Sequence, residues 1–147
     1  ILIKYENNIE FDQEFEYLRK LISKSNVLNY EKLSILSAKK FKGYKYIKEI
    51  FEEEVNLFLK ESINQNPDSF FSKIILPYIE ISPTSENTIT NDLILKINEI
   101  KLQIENRKIT SALKNLQTIE NYEKIFKLSS LEIKKYLNFK TELNILR

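Results

Sequence analysis

Glu49, Glu52 and Glu53 fall three and four residues apart in a stretch with a helical pattern of apolar residues. Carboxylates at that spacing are neighbours on a helix. A pair of them can transfer protons when a deep pocket raises one pKa, and sets of them can hold a di-iron centre. Di-iron bundles also take a Glu-x-x-His pair from each of two helices, and this chain of 147 residues has no histidine. The three glutamates lie opposite Ile47, Ile50 and Phe51 on the helical wheel, so their spacing predicts a solvated face.

The second cluster is "AKKFKGYKYIK", residues 38–48. Lysines track the phosphates of nucleic acid or anionic lipid, and interleaved aromatics stack on bases or sit at a headgroup boundary. The expected lipid or partner surface is therefore Lys39, Lys40, Lys42, Tyr44, Lys45, Tyr46 and Lys48. The competing reading is a polar surface with no specific ligand. Lysine is common throughout the chain, and the acidic run "FEEEV" nearby blunts the field.

The residue types that are missing narrow the chemistry further. Without cysteine there are no disulfides, thiolate zinc sites or thiol nucleophiles. Without histidine the commonest general base and transition-metal ligand are gone. A single glycine excludes glycine-rich phosphate loops and dinucleotide fingerprints. Carboxylates, Lys, Tyr, Ser and Thr remain, and the expectation is a non-enzymatic chain with no cofactor, metal or small-molecule substrate. The net charge of +2 is too small to point to nucleic acid.

The elements that must position these residues are helices. With 42% hydrophobic and 12% aromatic residues the chain can fill a core, and no alternation typical of strands occurs. The expected class is all-α, a bundle of about six to seven amphipathic helices with a C-terminal helical hairpin and no sheet. Phe11, Phe15, Leu18 and Ile22 mark a first helix over about 10–25. A second is expected to be capped by Asn29 and to bury Tyr30, Leu33 and Leu36, failing near Lys40–Gly43. A third runs from about Tyr46 to Asn64, burying Ile47, Ile50, Phe51, Val55, Phe58 and Leu59. A short helix is expected after Pro67, bending at Pro77. The loop at 81–91 divides one domain, 1–147, into subregions 1–80 and 92–147.

Beyond the loop, Leu93, Ile97, Ile100 and Ile104 form one stripe. Ile109, Ala112, Leu113, Leu116 and Ile119 form another, across a break at Asn106–Lys108, so a tight hairpin is expected. It looks like half of a tetratricopeptide unit, but no second copy recurs at the required spacing. The final segment, about Asn121 to Leu146, slips in period around Ser129–Ser130 and is read as one or two helices.

The order of these features resembles bacterial mitofilin-like proteins along nearly the whole chain. "FDQEFEYLRKL" is similar to an early family element, and "LSAKKFKGYKYIKEIF" to the next, with Ile47 and Phe51 in its two apolar places. "SKIILPYIEISPTSEN" resembles the apolar segment that enters a polar loop, and "INEIKLQIENRKITSALKNLQTI" the C-terminal hairpin. Departures are local. Lys40-Phe41-Lys42-Gly43 stands where the family turn reads Gly-apolar-Pro-Thr, and Arg107-Lys108 where the hairpin turn carries Gly-Asp. Ser82 replaces a loop arginine, and Tyr136 is nearest to the usual tryptophan.

The resemblance implies a scaffold that shapes the inner membrane through protein–protein contacts, and the Lys/aromatic interleaving over 39–48 adds anionic lipid as an expected contact. It also implies self-association, helical partners and a domain facing the periplasm, anchored by an upstream segment of a longer chain. It carries no catalytic residues. The alternative from the residues alone is a cytosolic helical adaptor that binds a protein or a nucleic acid.

Overall fold

A computed structural model describes residues 1–22, 26–39, 41–65 and 92–146, with side chains described outside 61–65. The expected short helix after Pro67 and the loop 81–91 lie outside these residues. The described residues are all-α and contain no strand. Eight helices follow in order: α1 (Leu2–Glu6), α2 (Asp12–Leu21), α3 (Val27–Ala38), α4 (Gly43–Gln65), α5 (Asp92–Glu105), α6 (Ile109–Leu116), α7 (Tyr122–Ile125) and α8 (Lys127–Ile145).

The bundle is organised around α8, which packs against α1, α3, α4, α6 and α7, while α4 also packs on α5. One core joins them. Leu33, Ile47, Phe51, Ile100, Ala112, Leu116, Phe126, Ile133, Tyr136 and Phe139 are all buried in it. The predicted stripes supply most of these positions, since apolar residues three and four apart face the same side of a helix.

The α5–α6 hairpin forms where the periodicity places it. Ala112 is fully buried, and a side chain that small lets neighbouring backbones approach closely. The turn is a Schellman motif: the Lys108 N–H donates to the Gln103 carbonyl at 2.8 Å and the Arg107 N–H to the Ile104 carbonyl at 3.0 Å. Arg107 holds φ +57°, a left-handed conformation that favours glycine. The same motif ends α1, with Asn8 at φ +55° and the Ile9 N–H reaching the Lys4 carbonyl at 2.8 Å.

Several boundaries differ from the sequence expectation. The first expected helix is shorter, ending at Leu21, and α1 precedes it. Asn29 does not cap α3: the helix already begins at Val27, so Asn29 lies inside it. Gly43 does not close α3 but opens α4, at φ +89°. The final segment divides at Phe126, ahead of the serine pair.

Gly43 is where α1 meets α4. A Cβ added there would lie 3.2 Å from the Glu6 carbonyl oxygen. Gly43→Ala is expected to cost about 2 kcal/mol, from the left-handed backbone and the displaced end of α1. Urea unfolding measures it, and an unchanged midpoint would show that α1 does not press on this residue.

Candidate functional site

The lysine–aromatic cluster straddles the α3–α4 connection and does not form one patch. Lys39 is exposed at the end of α3, and Lys40 lies outside the described residues. Lys42 leans over Tyr46, its Nζ 4.3 Å from the ring centre and 3.2 Å from the hydroxyl. Lys45 projects to solvent with Glu49 3.6 Å away, one turn along α4. Lys48 instead crosses to α5 and pairs with Glu105 at 2.9 Å. That hydrogen bond raises the Lys48 pKa and lowers that of Glu105. Among the described members, Lys39 is exposed, and Lys45 pairs only with Glu49 on its own helix.

Tyr44 turns the other way. Its hydroxyl donates to Glu6 Oε1 at 3.2 Å, and Tyr136 donates to the same oxygen at 2.8 Å. The two rings lie 5.1 Å apart, and the Arg107 guanidinium sits 5.1 Å from the Tyr44 ring centre and 4.0 Å from Glu6 Oε2. Residues from α1, α4, α8 and the hairpin turn thus converge on one carboxylate. Burial pushes the Tyr136 phenol up to about 12, with the Glu6 charge adding to it. Tyr44 is pushed higher by burial, by the neighbouring Tyr136 phenol and by Glu6.

Tyr5 lies next to this group, stacked on Phe139 at 3.7 Å and on Phe41 at 5.1 Å. Its hydroxyl is buried and finds no hydrogen-bond partner among the described residues. Burial raises its pKa strongly, and the charge of Glu132 raises it further.

The predicted carboxylates behave as a solvated face. Glu49 pairs with Lys45, Glu52 with Lys101 on α5 at 3.0 Å, and Glu53 is exposed. The buried acids are others: Glu54, Glu132 and largely Glu6. Glu132 pairs with Lys135 one turn on and accepts a long, 3.5 Å bond from the Lys42 backbone N–H. Glu54 accepts from the backbone N–H of Leu128 and from both the N–H and hydroxyl of Ser129.

A sequence signal for Glu54 exists, because it follows Ile47, Ile50 and Phe51 by seven, four and three residues and so sits on the buried stripe. Glu6 and Tyr5 carry no such signal, since α1 is too short to show a period.

Each of these acids is therefore engaged, Glu6 and Glu54 from other helices and Glu132 chiefly by Lys135 on its own. Among the described residues no group of His, Cys, Asp and Glu is arranged to hold a metal ion, and no helix is long and apolar enough to cross a membrane.

Two surface depressions lie on the α2–α3 side. One of about 430 Å³ is lined by Ile1, Gln13, Glu14, Tyr17, Leu18 and Leu21. Another of about 310 Å³ lies between the end of α2 and the start of α3, lined by Arg19, Ile22, Val27, Tyr30 and Glu31. Tyr17, Leu21, Leu28 and Ile35 on these helices are each more than 60% exposed. No family model, curated protein or solved structure matches this chain.

Proposed function

We propose that this chain is a non-enzymatic scaffold domain that contributes to inner-membrane organisation through contacts with other proteins. The reading rests on the ordered resemblance to mitofilin-like proteins. The observation that carries it is the α5–α6 hairpin, formed by the "INEIKLQIENRKITSALKNLQTI" segment, with Ala112 buried against the core. The use of the buried carboxylates supports it too. Glu6 and Glu54 tie helices together, Glu132 is paired within α8, and a carboxylate bound by several donors is poorly placed to exchange protons with a substrate.

The large apolar side chains left exposed on α2 and α3 suit protein partners better than a small molecule. Among the described members of the lysine cluster, Lys39 and Lys45 are open to an anionic headgroup.

Fractionation of cells producing the full-length protein, followed by protease treatment of spheroplasts, tests the proposal. The expected result is recovery with the inner membrane and cleavage from the periplasmic side. Recovery in the cytosolic fraction would overturn it and favour the adaptor reading.

A further inference from the structure

The segment from Tyr122 to Ile145 contains neither proline nor glycine, the usual causes of a sharp helix break. It is nevertheless interrupted at Phe126, which takes φ −111° and ψ 47°. In an unbroken helix the Leu128 and Ser129 N–H groups would donate to the carbonyls of Lys124 and Ile125. They donate instead to Glu54 on α4, Leu128 to Oε1 at 2.7 Å and Ser129 to Oε2 at 3.1 Å. The Ser129 hydroxyl adds a third bond to Oε2 at 2.6 Å. Helical bonding resumes with the Ser130 N–H, which reaches the Phe126 carbonyl at 3.0 Å.

Phe126, the residue in the capping position, has no side-chain acceptor to offer, so the cap of α8 comes from a residue some 75 positions earlier. A buried carboxylate at a helix N-terminus also meets the positive end of the helix dipole.

We infer that Glu54 is a conformational latch: it imposes the α7–α8 break in trans, and without it Tyr122–Ile145 runs as one helix. The latch couples the position of α4 to the shape of the element that organises the bundle. With Glu54 in place, Phe126 stacks on Phe51 at 5.4 Å and contacts Phe58 at 6.3 Å. With it withdrawn, the freed N–H groups turn to the carbonyls one turn back, giving a rod of about 36 Å. A partner that draws α4 away from α8 therefore also straightens α7. This inference is independent of the proposed membrane role.

The test is Glu54→Leu, which removes the acceptors and retains bulk, read by backbone NMR shifts. The expected result is a change at Phe126 and Lys127 from non-helical to helical Cα shifts, making 122–145 continuous. Phe126 shifts that stay non-helical would overturn the latch, because the break would then be intrinsic to the segment.

Glu54→Gln and Ser129→Ala keep the readout available if the leucine variant does not fold. Each weakens the cap, and the Phe126 Cα shift is expected to move part of the way toward its helical value. Phe126 shifts unchanged from the parent protein in both variants would also overturn it.

Discussion

Tyr5→Ala is expected to remove about 3–5 kcal/mol of stability, whereas Tyr5→Phe should leave the domain as stable as the parent or about 1 kcal/mol more stable. The ring is the anchor of α1. It is 3% exposed, lies 3.7 Å from Phe139 and 5.1 Å from Phe41, and meets Phe11 edge-on at 6.0 Å. Truncation to Ala opens a cavity among aromatic rings held by α8 and the α3–α4 connection, so little collapse can refill it.

The hydroxyl contributes in the opposite sense. It is buried without a partner, so folding strips its water and returns no bond. Deleting the oxygen removes that penalty and keeps the stack. Urea unfolding of both variants measures the contrast. A loss of stability in Tyr5→Phe comparable to that in Tyr5→Ala would mean that the hydroxyl is bonded and that the account of α1 is wrong.

The same residue shows where sequence reasoning stops. Long stripes were legible: Ile97, Ile100 and Ile104 on α5, and Ile109, Ala112 and Leu116 on α6, are buried as their spacing predicts. Those helices have several turns, and repetition makes a face visible. Tyr5 sits in a five-residue helix whose register comes from tertiary contacts alone.

Gly43 was legible as punctuation but not as the start of α4, because a glycine marks freedom of backbone and not its use. The break at Phe126 was hidden for a related reason. Its cap is Glu54, a long-range partner, and local pattern registers only the slip that follows at Ser129–Ser130.

The candidate surface was legible in composition but not in geometry. "AKKFKGYKYIK" reads as one basic-aromatic cluster, yet a helix advances 100° per residue. Tyr44 therefore goes inward to Glu6, Lys48 goes across to Glu105, and Lys45 goes to solvent. The pattern of charges along a chain becomes a surface only after the helix axis and its neighbours are fixed.

Alkaline titration is the second large effect, and its sign follows from three buried phenols. Tyr5, Tyr44 and Tyr136 are each pushed above the ordinary value of 10, chiefly by burial. A raised phenol pKa in the folded state means that folding favours the protonated form. The corresponding stability is fully present below pH 10 and is lost as pH rises from 10 through the folded values. For Tyr136 the displacement to about 12 corresponds to about 3 kcal/mol, and Tyr44 and Tyr5 are displaced further in the same direction.

The unfolding free energy should therefore fall steadily between pH 10 and pH 12, with the absorbance of phenolate rising together with loss of helix. Glu6→Gln keeps an acceptor for Tyr44 and Tyr136 but removes the charge that raises both, so their ionisation should shift to lower pH in the folded protein. Denaturant unfolding at stepped pH, followed by circular dichroism, gives the slope. Stability that stays level from pH 10 to pH 12 would mean that these hydroxyls reach water and that the Glu6 cluster does not hold α1, α4 and α8 together.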